Sequence, residues 1–172
     1  LTPDGSTYCI RYGELYTTYG AIIDEPVSRT FVSKDQLVLS KGGEVIVPAS
    51  GEDATDIATA AVVLRPGIAL GGDLNVISSP LDGAFLAYFL SGARKRAIAE
   101  MAQGNTVVHL YPSQLETLSL SIPSEPEQRK IANCLQAADE LILKQSEWIG
   151  QLVEHKQGLL QRLFPVIGEV DG

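Results

Sequence analysis

Residues 124–165 read SEPEQRKIANCLQAADELILKQSEWIGQLVEHKQGLLQRLFP, and this stretch decides the architecture. Ser124 followed three residues later by Glu127 matches a capping box, in which the hydroxyl takes an orphan amide and the carboxylate reaches back to the cap. Pro126 fits the first turn, where its missing N–H costs nothing. No further proline interrupts the chain until Pro165, which ends the helix. About 38 residues rising about 1.5 Å each make a rod of about 57 Å, too long to be buried on a domain of this size.

The periodicity of the rod is specific. Ile131, Leu135, Ala138, Ile142, Gln145, Ile149, Leu152, Lys156, Leu159 and Leu163 succeed one another at spacings of four and three without a break, which is the a/d seam of a coiled coil. Gln145 and Lys156 weaken the seam but are the kind of polar insert that fixes register. Beside it, Cys134, Leu141 and Trp148 continue an apolar stripe at intervals of seven, wider than one partner helix requires. The sequence predicts a second contact along that stripe, to the chain's own globular part or to another protein. A long helix lying on a neighbouring domain is the alternative.

Upstream the character is different. Thr7–Tyr12, Ala21–Asp24, Gln36–Leu39, Glu44–Pro48, Ile57–Leu64 and Leu74–Ile77 are short runs rich in Val, Ile, Thr or Tyr, bounded by turn signals such as Lys41-Gly42-Gly43 and Arg65-Pro66-Gly67; they read as strands. From Asp82, a candidate N-cap, apolar residues recur at helical spacing through Met101, and Gly104 supplies a stop. That predicts one amphipathic helix. Val107–Leu110 then reads as a strand, Pro112–Leu118 as a turn or short helix, and Leu118–Ile122 as a last strand. The expected fold is α+β: a mostly β globular domain over 1–123 with a flanking helix, a long coiled-coil-forming helix over 124–165, and a tail over 166–172.

The 172 residues leave room for one domain plus such an extended element. No apolar run reaches the length of a membrane helix, and Leu1-Thr2-Pro3-Asp4-Gly5 has neither the basic start nor the apolar stretch of a signal peptide. A soluble, cytoplasmic protein is expected, with Cys9 and Cys134 as reduced thiols. The net charge is −8; residues 1–125 hold 8 basic and 14 acidic side chains, and residues 126–172 hold 5 and 7. A surface that binds polyanions everywhere is excluded, because phosphate contacts need local Lys and Arg.

Catalytic patterns are missing. The chain has no Gly-x-x-x-x-Gly-Lys-Ser/Thr phosphate loop, no Gly-x-Ser-x-Gly elbow and no Gly-rich cofactor turn. Its two histidines, His109 and His155, are far apart and form no metal pair. No catalytic residue, metal ligand or cofactor is expected on this chain.

The stretch GNTVVHLYPSQLETLSLSIPSEPEQRKIANCLQAADELI, residues 104–142, resembles the junction of a target-recognition domain with its conserved helix in the specificity subunit of type I restriction–modification enzymes. Gly104, Thr106, His109, Leu110, Leu115, Leu118, Pro123 or Pro126, Glu127, Gln128, Ile131, Ala132, Leu135 and Asp139 fit that pattern. CIRYGELYTTYG, KGGEVIVPASGE, GGDLNVI and KQGLLQRLFP are similar to further segments of the family. Members usually begin a recognition domain with a Trp-containing segment and a strand ahead of the position of Leu1, and carry two recognition domains and two helices. This chain is therefore read as a fragment of a longer subunit or as a half-subunit that dimerises.

The resemblance implies a non-catalytic module that reads one half of a bipartite site in double-stranded DNA. It implies as partners a methyltransferase subunit, which brings S-adenosylmethionine and modifies adenine, and a restriction or motor subunit. It also implies a homodimer through the seam, or a second half in a longer subunit, with Leu141 and Trp148 as docking candidates; no membrane is involved. DNA reading needs positive charge to place the backbone and forked donors to read bases. Arg11, Tyr12, Arg29, Lys34, Lys41 and Arg65, in turn-rich β regions, are the candidates, with Arg94-Lys95-Arg96 as a further basic run. A DNA reader should bring Arg11, Arg29, Lys41 and Arg65 onto one concave face. If they scatter, the alternative is a non-catalytic interaction scaffold assembled by its coiled coil.

Overall fold

The structure, a computed structural model, describes residues 4–104 and 106–164, which fall into two compact units divided after Ala132. The first unit contains β1 (Thr7–Ile10), α1 (Glu14–Thr17), β2 (Ile22–Ile23), β3 (Ser28–Thr30), β4 (Val38–Leu39), β5 (Glu44–Pro48), β6 (Ser50–Gly51), α2 (Ala54–Ile57), β7 (Ala61–Val63), β8 (Ala69–Leu70) and β9 (Leu74–Ile77). It continues with α3 (Gly83–Ser91), α4 (Lys95–Met101), β10 (Val108–His109), α5 (Pro112–Leu115) and the first turns of α6 (Glu125–Leu163). The α+β class is as the sequence predicts.

Two four-stranded sheets carry the core, in the orders β3-β1-β8-β4 and β2-β7-β5-β9. In the first, β1 and β8 are parallel, and antiparallel β3 and β4 form its edges; in the second, β2 and β7 are parallel while β5 runs against β7 and β9. Ile46 packs with Ile10, Leu15, Ile23, Val63 and Leu70. Its neighbours Val45 and Val47 pack with Leu86, Leu90 and Ile98 of the helices. All five residues of β5 are buried. A strand covered on both faces reads as a continuous apolar run, which is why Glu44–Pro48 is legible to the residue.

Other boundaries differ for physical reasons. The helix expected over Asp82–Gly104 is two helices. The Asp82 side chain caps α3 by accepting from the Phe85 amide at 2.8 Å, but the Ser91 hydroxyl accepts from the Ala60 amide and donates to its carbonyl. That pins the end of α3 to the sheet, and Gly92 leaves helical geometry (φ −103, ψ −89). Residues 118–122 form no strand; Leu118 and Leu120 pack against the core without a strand neighbour. β3, β6 and β8 lie outside the predicted runs, being two or three residues long, and Ile57 ends α2 instead of starting a strand. Gly104 is a backbone requirement: at φ +135 an added Cβ would lie 2.0 Å from the Val107 carbonyl oxygen.

Of the capping box before α6, the carboxylate half forms. Glu127 accepts from the Ser124 amide at 2.9 Å, and the Ser124 hydroxyl donates to the same carboxylate instead of accepting an amide. These bonds hold the Glu127 carboxyl below its ordinary range. Gln128 is buried, accepting from the Asp82 amide and donating to the Pro123 carbonyl, both at 3.0 Å. Gln128 and Ala132 are the buried residues of α6, so the compact unit runs past the expected boundary at 123 and takes in the first turns of the helix. The expected stop at Pro165 and the tail lie outside the described residues.

Candidate nucleic-acid interface

β1 leaves the core at Ile10, and the chain turns into the one-turn helix α1. Glu14, at its start, is buried; on it converge the Arg11 amide (3.0 Å), Arg11 Nε (2.9 Å), Arg11 Nη2 (2.7 Å) and the Ser28 hydroxyl. The Tyr19 hydroxyl donates to it at 3.5 Å and accepts from the Val27 amide at 2.9 Å. One carboxylate thus ties the end of β1, α1, the approach to β2 and the edge strand β3. Burial alone pushes the Glu14 carboxyl up, but the hydrogen bonds from Ser28 and Arg11, with the Arg11 charge, hold it below the ordinary carboxylate value. The pair is lopsided: the Glu14 side chain is 6% exposed and that of Arg11 57%.

Arg11 opens onto a surface concavity of about 340 Å³ lined also by Tyr12, Gly13, Tyr16, Thr17 and Thr18. The Tyr12 and Tyr16 rings are tilted by 60° with centroids 6.5 Å apart. Burial raises the Tyr16 phenol, as do neighbouring Tyr12, Asp56 and Glu52, so this end of the unit carries acidic side chains as well. Gly71 packs against it, donating its amide to the Ile10 carbonyl at 2.9 Å.

The other candidates lie elsewhere, and the expected convergence does not occur. β1 and β8 run parallel and end at the Arg11 pole, whereas β4 runs against β8 and ends at the opposite pole of the same sheet, where Ser40 meets Arg65. Arg65 follows β7 and is held there by Asp24 (2.7 and 2.9 Å) and Glu25 (3.1 Å). Lys41 is beside it: the Ser40 hydroxyl donates to the Arg65 carbonyl, and the Lys41 amide donates to the buried Glu44 at 2.6 Å. Arg29, on β3, lies 3.9 Å over the Tyr8 ring and donates to the Gly5 carbonyl at 3.3 Å. Lys34 is exposed on the segment that crosses from β3 to β4. Strand direction, invisible in composition, separates Arg11 and Tyr12 from Lys41 and Arg65.

Along α6 all ten seam positions are exposed, as are Leu141 (63%) and Trp148 (58%). A second concavity, of about 350 Å³ between β9, α3 and α5, is lined largely by leucines, with Ser78, Ser79 and Asn75 as its polar residues and Glu116 as its sole charged one; it carries no cation, and Asn75 donates to the Leu110 carbonyl. Among the described residues no three His, Cys, Asp or Glu side chains could hold a metal ion, and no helix is long and apolar enough to cross a membrane. Sequence reasoning missed Glu14, Ser28, Tyr16 and Tyr19. The signal present was an acid three residues after an arginine inside an otherwise apolar YGELY stretch.

A family model described as the type I restriction modification DNA specificity domain matches residues 7–149. The chain belongs to this family. The structure of this specificity domain is also similar to the crystal structure of the type I restriction-modification system S subunit from M. genitalium, with a TM-score of 0.59 at 20% identity. The likeness covers 97% of this chain and 40% of that one, so the domain spans less than half the length of that subunit. At that identity the likeness carries the fold alone. No curated protein matches the chain.

Proposed function

We propose that this specificity domain reads one half of a bipartite site in double-stranded DNA, pairs through the seam of α6 with a second such helix, and docks a methyltransferase subunit. The scatter of Arg29, Lys41 and Arg65 favours the scaffold, but the observation that carries the DNA reading outweighs it: the family match runs across both units, from the β-rich part through residue 149 of the helix. On this reading Arg11 and Tyr12 face the bases, because they line a concavity with a forked donor at its mouth. The second helix belongs to another copy of the chain or to another half of a longer subunit. α6 spans about 58 Å and holds the two readers at a fixed separation. S-adenosylmethionine and the chemistry at adenine reside on the methyltransferase subunit, and a restriction or motor subunit adds cleavage.

The acidic composition predicts weak DNA binding by the chain alone, with the partner subunit supplying backbone contacts. The test is co-expression with the cognate methyltransferase subunit and sequencing of the host DNA for N6-methyladenine. The expected result is a split motif with an unread gap, palindromic if two copies pair. A stable complex that modifies nothing would overturn the reading in favour of an interaction scaffold.

A further inference from the structure

Arginine carries five N–H donors in a planar fork. In Arg11 one edge is committed: Nε and Nη2 both donate to Oε1 of Glu14. Glu14 is itself fixed by Ser28, Tyr19 and the Arg11 amide, so the guanidinium cannot swing without breaking a buried network. The adjacent end edge, formed by Nη1 and the second Nη2 proton, has no hydrogen-bond partner among the described residues, and the side chain is more than half exposed at the mouth of the Tyr12–Tyr16 concavity. Arg65 contrasts with it, engaged by two exposed carboxylates that can rotate away.

The Arg11–Glu14 pair is net neutral, and Glu52 and Asp56 lie close to Tyr16. Such a pair offers a phosphate little attraction. It offers two parallel, pre-aimed donors to any flat group with two adjacent acceptors, beside the tilted Tyr12–Tyr16 pair. In the major groove guanine presents O6 and N7 side by side, whereas adenine presents one acceptor and one donor.

We propose that Glu14 is a positioning residue for base reading: it fixes Arg11 so that the free edge of the guanidinium donates to O6 and N7 of one guanine, with Tyr12 and Tyr16 lining the concavity beside that contact. This rests on the DNA-reading function proposed above and adds to it the base and the residue that aims the contact.

The same methylation assay tests it, with Arg11→Lys, Glu14→Gln and the unaltered chain, each co-expressed with the methyltransferase subunit. Arg11→Lys keeps the charge and the partner of Glu14 but loses the fork, so it preserves the fold even if Glu14→Gln does not. The expected result is that both variants lose about tenfold or more of the preference for guanine at one and the same position, while the rest of the motif stands. A merely structural role would weaken methylation at all positions together. That outcome, which a phosphate contact would also give, overturns the proposal, as does an unchanged motif from Arg11→Lys. If the unaltered chain yields a stable complex and no motif, the DNA-reading function itself fails.

Discussion

The β-rich unit and the long helix are built from similar proportions of apolar residues and dispose of them in opposite ways. In the first, Ile10, Leu15, Ile23, Ile46, Val63 and their neighbours are hidden in two clusters, and even Ser40, Asn75 and Glu14 are buried with hydrogen bonds. In the second, Ile142, Trp148, Ile149 and Leu163 are each more than half exposed, and the buried residues are confined to the first two turns. A monomeric surface rarely leaves so long an apolar stripe open. One region satisfies its own sequence; the exposed stripe of the other is what the proposed pairing would cover.

The sharpest way to break this contrast is to damage each region and watch the other. Ile46→Ala removes three carbons from the centre of the sheet-on-sheet core and should cost about 2–5 kcal/mol of unfolding free energy in a denaturant titration. Ile149→Asp, in the seam, should leave that titration unchanged at dilute concentration. It should instead weaken self-association about 100-fold or more in sedimentation equilibrium, because pairing would bury an unpartnered carboxylate. If Ile149→Asp shifts the unfolding midpoint of the dilute protein, the helix is part of the folding unit and the contrast is wrong.

How much of this was legible follows the same division. The helix wrote its continuity from Glu125 to Leu163 plainly, because an uninterrupted run of helix formers without an inner proline is enough to determine it. β5 and β9 were legible to the residue, since one is buried on both faces and the other pairs with it along its whole length. What sequence could not supply was direction. The chemistry of Arg11, Lys41 and Arg65 is visible one residue at a time, but that β1 and β4 end at opposite poles of one sheet is a property of the pairing. The Glu14 network was hidden for a related reason: Ser28 is 14 residues from Glu14 and reaches it only because β3 pairs with β1.

Glu14 sharpens the contrast from inside the β-rich unit. Its carboxyl is held below the ordinary value in the folded chain, so it contributes stability that is fully present above the unfolded value, about 4.3, and is lost as pH falls through the lower folded one. Glu14→Gln should therefore cost about 1–3 kcal/mol at neutral pH by leaving Arg11 without its charged acceptor. It should also flatten the acid limb of a stability-against-pH curve. A variant with the same acid limb as the parent would mean that other carboxylates dominate it. On α6, Glu127 is the exposed counterpart, lowered by its cap bonds to Ser124.

The smallest effect tests whether the helix is limited by its partner or by itself. Gly150 sits in mid-helix with nothing within 4 Å of where a Cβ would stand, and it is not a seam position. Gly→Ala at an exposed helical site contributes about 0.5–1 kcal/mol, by restricting the unfolded chain and shielding the backbone. In the β-rich unit the same kind of change is forbidden at Gly104, where the added carbon would meet the Val107 carbonyl. Gly150→Ala should raise helix content by circular dichroism and tighten self-association by a few-fold, since a stiffer seam loses less freedom on pairing. The unfolding of the β-rich unit should not move. An increase in helicity with no gain in association would place the energetics of pairing wholly in the side chains of the seam, and the contrast between the two regions would then rest on packing alone.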